Sequence, residues 1–220
     1  MPEERVERFN LAERLGHWSH GIAFIVLLLT GLALVFRGFG GGGLRLFRSV
    51  HHFMAYPFTF LTVLILLLGT PRTMGQWLKE CLTWRADDWR FVAAFPREFF
   101  GLKVQLPEQG KFNAGEKLNS LLTISGSLLM AVTGWLLIFR DSFSPAVVAW
   151  ALPLHSAGAL VMGGVILGHI YLALGHPNSR ESINGMLSGK VAAKFAREHH
   201  ARWYRELQEK DPRGKKQQVA

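Results

Sequence analysis

Two histidines fourteen residues apart, His155 and His169, bracket a run of small and apolar residues in "LHSAGALVMGGVILGH". An ionisable side chain in such a run is costly unless it has a partner, so each histidine needs an explanation. Neutral imidazole is a good ligand for transition metals. On a helix, fourteen steps leave the two side chains within about 40° of one face and about 21 Å apart along the axis. Metals bound from that face would be stacked in two layers. A six-coordinate haem iron takes two axial ligands, so each layer needs a second imidazole from another helix at the same depth. His17 matches His169 in depth, and His51 matches His155. Bis-histidine ligation leaves no open coordination position, which suits electron transfer.

The other five histidines read differently. His20, one turn after His17, reads as a hydrogen-bonding core residue, and His176 before Pro177 as an interfacial one. His199 and His200 fall in a charged tail, where solvation is the default. His52 rivals His51, because adjacent helical residues point about 100° apart and only one of them can ligate; register favours His51. Small residues cluster around these positions: Gly158, Gly163, Gly164 and Gly168 near His155 and His169, Gly16, Gly21 and Gly31 along the first span, and Gly126 and Gly134 along the third. They admit either a flat macrocycle or close helix packing.

The elements that must carry these residues are long. Of 220 residues, 49% are hydrophobic, and they are clustered. Four nearly uncharged segments lie at about 15–36, 52–70, 118–139 and 147–174. Each reaches about 19 residues, enough for a helix to cross a hydrocarbon core of about 30 Å. The expected fold is an all-α, integral membrane four-helix bundle. The first segment is too long for a signal-peptide core and lacks a small-residue cleavage site before Arg37. The single cysteine, Cys81, excludes an internal disulfide, a CxxCH haem attachment and a self-contained cysteine-ligated cluster. No dinucleotide, P-loop or zinc-protease motif is present.

Basic residues crowd the N-terminal arm, the 71–117 connection and the tail, and the positive-inside rule then places both termini in the cytoplasm. The net charge of +9 fits an anionic membrane face rather than nucleic acid. "RGFGGGG" (Arg37–Gly43) reads as a flexible turn, and Pro145 as the start of span four. Met74–Phe100 mixes aromatics with charges, as an amphipathic interfacial helix pair or a soluble cap does. Residues 1–206 read as one four-span dihaem domain, and 207–220 as a disordered basic tail. Asn113 reads as the N-cap of span three, with Glu116 closing a capping box.

Five stretches in this order, "FNLAERLGHWSHGIAFIVLLLTG", "RSVHHFMAYPF", "KFNAGEKLN", "LHSAGALVMGGVILGHIYLAL" and "INGMLSGKVAAKFAREHHARWYRE", resemble the gamma subunit of membrane-bound formate dehydrogenase, a cytochrome b of the b556 type. Where that family often has a proline after the second-span histidine, this chain has His52. The resemblance implies two b haems, held by His17 with His169 and by His51 with His155. It implies a quinone site (menaquinone or ubiquinone) at Asn113 and Gly115. It also implies an inner-membrane subunit that passes electrons from a periplasmic iron–sulfur beta subunit to quinone near the cytoplasmic face. A molybdenum or tungsten alpha subunit would perform the formate chemistry, and a trimer of such heterotrimers stays open. A cytochrome b subunit of a nickel–iron hydrogenase or another molybdoenzyme is the alternative. A non-redox histidine-lined transporter or anchor is the alternative of another class. Arg14 and Arg48 are candidate partners for haem propionates.

Overall fold

The computed structural model describes residues 3–37 and 39–210. In chain order the elements are β1 (Arg5–Glu7), α1 (Leu11–Phe36), α2 (Gly40–Gly69), α3 (Pro71–Leu82), α4 (Ala86–Phe99), α5 (Ala114–Ile138), α6 (Pro145–Gly175), α7 (Ser182–Ser188), β2 (Lys190–Ala192), α8 (Ala193–His199) and α9 (Ala201–Lys210). Among the described residues, α1, α2, α5 and α6 are long and apolar enough to cross a membrane. Their apolar windows bury only 6–22% of residues within the chain, so most of the greasy surface needs lipid or a partner. The chain is a multi-pass membrane protein.

Pro145 opens α6, as its type and place suggest. The expected turn at Arg37–Gly43 is shorter than anticipated. Arg37 and Gly40 take positive φ, and the helix already runs from Gly40; Gly38 lies outside the described residues. The second span therefore starts a dozen residues before its apolar segment, because Arg45 and Arg48 sit on an exposed face that hydropathy does not register. Pro57, which has no N–H to donate, opens a π-helical turn over Pro57–Leu61 within α2. A second π-helical turn, Tyr171–Gly175, ends α6. The 71–117 connection contains the expected helix pair, α3 and α4.

The described chain forms two compact units. Among the described residues, the helical unit comprises 11–74 and 122–167, and the polar unit comprises 3–10, 75–121 and 168–210. The helical unit packs Ala23, Phe24, Phe58 and Met162 at its centre, flanked by Leu27, Leu28, Met54, Met130, Ala131 and Ile166. Gly126 lies directly under Met162: a Cβ there would stand 2.2 Å from Met162 Sδ, so that side chain would have to move.

In the polar unit β1 pairs antiparallel with β2, Val6 opposite Val191, which departs from an all-α chain. The sheet lies on a core of Val191, Ala192, Ala193, Phe195, Ala196, Trp203 and Tyr204. The tail was expected to lose structure from residue 207, but α9 continues to Lys210, where Leu207 packs on that core; residues 211–220 lie outside the described residues. Arg8 donates to Glu116 at 2.8 Å and to the Lys111 carbonyl at 2.7 Å. Lys117 Nζ pairs with Asp88 at 2.9 Å, both side chains being buried, and also donates to the Thr83 carbonyl. The Arg85 N–H donates to the same Asp88 carboxylate, so the start of α4 is tied to α5.

Candidate haem site

His51 rises from α2 and His155 from α6, and both belong to the helical unit. Their ring centroids are 6.2 Å apart, with the planes inclined at 73°. His52 is exposed, whereas His51 and His155 are half-buried. Each ring is held from behind by a threonine on a different helix. Thr30 Oγ1 on α1 lies 2.9 Å from His51 Nδ1, and Thr133 Oγ1 on α5 lies 2.9 Å from His155 Nδ1.

The direction of these bonds follows from the remaining contacts. Thr30 Oγ1 donates to the Val26 carbonyl at 2.7 Å, and Thr133 Oγ1 to the Leu129 carbonyl at 2.6 Å. A carbonyl only accepts, and a hydroxyl has one proton. Each threonine oxygen therefore accepts from Nδ1–H, beside the backbone carbonyl of Leu27 for His51 and of Met130 for His155, and in the neutral ring Nε2 carries the free lone pair. Glycine follows threonine in both helices. A Cβ on Gly31 would stand 3.3 Å from His51 Cε1, and one on Gly134 would stand 3.2 Å from His155 Cε1. These glycines open slots in which the rings lie against the backbone.

The pair fits an axial ligand set. A metal–imidazole bond of about 2.0–2.1 Å on each side, plus the roughly 1.1 Å from nitrogen to ring centre, sets two centroids about 6.3 Å apart. The observed gap is 6.2 Å. The donors are two imidazoles, each backed by a threonine hydroxyl, which suits haem iron.

His17 is on α1 in the helical unit, half-buried and edge-on to Trp18 at 5.2 Å. His169 is on α6 in the polar unit, also half-buried. His20 is a packing residue: it stacks on Phe58 at 4.8 Å, and its Nε2 lies 3.2 Å from Ser127 Oγ.

Asn113 and Gly115 stand at the head of α5. The Glu116 N–H donates to Asn113 Oδ1 at 2.8 Å, and the Asn113 N–H donates to Glu116 Oε2 at 3.0 Å. This is the capping box that the residue types suggest. Gly115 sits against the cap, since a Cβ there would stand 3.2 Å from Asn113 Oδ1, with the Phe91 and Phe95 rings in ordinary contact beyond it.

Two histidines read as interfacial or solvated are fully buried instead. His176 Nε2 donates to the Glu98 carbonyl at the end of α4, at 2.6 Å, and its Nδ1 lies 3.0 Å from Ser179 Oγ. His200 Nδ1 donates to the Gly110 carbonyl at 2.9 Å. Burial, and then the Arg8 guanidinium, push the His200 imidazole down to about 3. Both rings satisfy backbone carbonyls that the polar unit would otherwise bury unpaired. His199 is half-buried and stacks on Phe195 at 4.7 Å. Cys81 is a buried free thiol, pushed up by burial. Thr30 and Thr133 carry no signal on their own. The repeated Thr-Gly dipeptide, 21 and 22 residues before the two histidines, could have exposed them.

Comparison with known proteins identifies the family. Residues 8–189 match the family model of prokaryotic cytochrome b561. The chain is 28% identical over 212 residues to the formate dehydrogenase cytochrome b556 subunit of Haemophilus influenzae, covering 93% of this chain and 84% of that one. It is 29% identical over 212 residues to the cytochrome b556(fdo) subunit of formate dehydrogenase from Escherichia coli K12, covering 93% and 94%. It is 27% identical over 217 residues to the nitrate-inducible cytochrome b556(Fdn) subunit of the same strain, covering 92% of each. With facing imidazoles on membrane helices and a family match across most of its length, the chain belongs to the prokaryotic cytochrome b561 family.

Proposed function

We propose that this chain is the dihaem cytochrome b subunit of a membrane-bound formate dehydrogenase. In this role it takes electrons from an iron–sulfur partner at one membrane face and delivers them to quinone at the other. The observation that carries the proposal is the His51–His155 pair, whose ring centroids stand 6.2 Å apart. A haem held there supplies a one-electron iron couple. The chain's own residues hold the rings, orient their nitrogens and exclude other ligands. His17 and His169 serve as the second ligand pair, as their matched depths suggest. Arg48, one turn before His51 on α2, is placed to meet a propionate.

Quinone reduction is assigned to the Asn113–Gly115 region. The cap uses Asn113 Oδ1, which leaves its amide N–H groups for a quinone carbonyl. Both termini are cytoplasmic in this scheme, in an inner membrane, so the protons for quinol come from that side. The partners are an iron–sulfur subunit and a molybdenum or tungsten subunit that oxidises formate, as the relatives' names suggest.

A reduced-minus-oxidised spectrum tests the haem content, with two b haems per chain expected. His155→Ala should remove one haem and His169→Ala the other. A spectrum without an α band would remove the redox reading and leave a histidine-lined transporter or anchor. Purification of the intact complex with formate-to-quinone activity tests the partner. A hydrogenase or another molybdoenzyme in its place would reassign the complex.

A further inference from the structure

We propose that Thr30 and Thr133 are positioning residues that fix the tautomer and plane of the two facing imidazoles. The inference rests on the reading that this gap holds haem iron. It goes beyond the ligand set, because neither threonine touches the gap.

Three observations converge. Each threonine is buried, and its hydroxyl proton is committed to a carbonyl one turn back in its own helix. Each hydroxyl oxygen therefore has only lone pairs to offer, and the ring at 2.9 Å must present Nδ1–H. The arrangement also occurs twice, on α1 against α2 and on α5 against α6, with a glycine slot beside each ring. A packing accident would not pair threonine, glycine and histidine in the same geometry on both sides of one gap.

The consequence is chemical as well as geometric. An acceptor on Nδ1–H makes the imidazole a stronger electron donor through Nε2 and favours the higher charge on a bound metal. It also restricts rotation about the ring axis, so the 73° inclination between planes is imposed from behind.

The test uses Thr30→Val and Thr133→Val in the full chain with its complex, with Thr→Ser at each position as the conservative control. The second haem serves as an internal standard for folding. Expected for valine is a 10–100-fold weaker hold on the haem of this pair. Its midpoint potential should rise, by about 59 mV for each tenfold loss of ferric over ferrous affinity. Its low-spin ferric electron-paramagnetic-resonance signal should broaden or move as the ring planes relax. Serine should restore all three. Unchanged potential and resonance signal in both valine variants would overturn the proposal. So would equal damage from serine and valine while the second haem is retained. The underlying haem reading fails separately, if His51→Ala and His155→Ala leave haem content unchanged.

Discussion

The helical unit and the polar unit both bury imidazoles and use them in opposite ways. In the helical unit, His51 and His155 give Nδ1–H to a threonine hydroxyl, and their ring centroids stand 6.2 Å apart. In the polar unit, His176 and His200 give a ring N–H to the backbone carbonyls of Glu98 and Gly110. A hydroxyl that accepts from one nitrogen holds the ring and leaves the other nitrogen open, as the proposed ligand role requires. A backbone carbonyl that takes the proton makes a staple between segments 78 and 90 residues apart. Burial alone does not separate the roles: the staples are the more deeply buried. The place of the partners does: His51 and His155 lie beside threonines of membrane-spanning helices, whereas His176 and His200 reach carbonyls of distant segments in the polar unit.

The strongest way to break this contrast is to exchange the neighbours in α2. His51→Ala is expected to abolish one haem per chain and His52→Ala to leave both, measured by pyridine haemochrome stoichiometry. Loss of haem from His52→Ala alone would reverse the ligand assignment.

The next effect falls on the polar unit. Lys117→Met leaves the Asp88 carboxylate buried without its cation and should cost about 3–5 kcal/mol of stability. Chemical unfolding of the solubilised protein checks this, and Asp88→Leu combined with Lys117→Met should recover much of the loss. Haem content under native conditions should hold in the double variant. If it falls as far as in His51→Ala, the division of labour between the units is wrong.

His200 gives a smaller, pH-dependent effect. Its folded value is about 3, against about 6.5 for a free histidine. The unfolded chain therefore binds a proton first as pH falls, and stability drops between about pH 6.5 and pH 3. His200→Asn keeps a donor for the Gly110 carbonyl and should flatten the melting temperature across that window. A profile as steep as in the parent chain would assign the acid sensitivity elsewhere.

The smallest change is Gly134→Ala. Its new methyl meets His155 Cε1 at 3.2 Å, so the ring must shift by a few tenths of an ångström. Haem should be retained with a slightly moved α band. Complete loss would mean that the slot, more than the threonine, holds the ring.

The sequence exposes what depends on apolar runs and helical spacing. The four spans, the start of α6 at Pro145, the helix pair α3–α4 and the Asn113–Glu116 cap were all legible from residue types. The start of α2 was not, because four glycines and two arginines hide a helix whose exposed face is polar. Nor were β1 and β2, three-residue strands whose only signal is each other. The burial of His176 and His200 was illegible for a related reason. Their partners are main-chain carbonyls, which any residue supplies, so no residue type marks them. The helical unit's pair was easier, since its histidines interrupt runs where polar groups are otherwise excluded.

The pairing of Val6 with Val191 has a temporal consequence. Residues emerge from the ribosome at about 5–20 per second, so β1 waits roughly 10–40 s for its mate to be synthesised. All four hydrophobic helices have been made by then. The sheet of the polar unit therefore closes late, after the last of the four membrane segments has been synthesised.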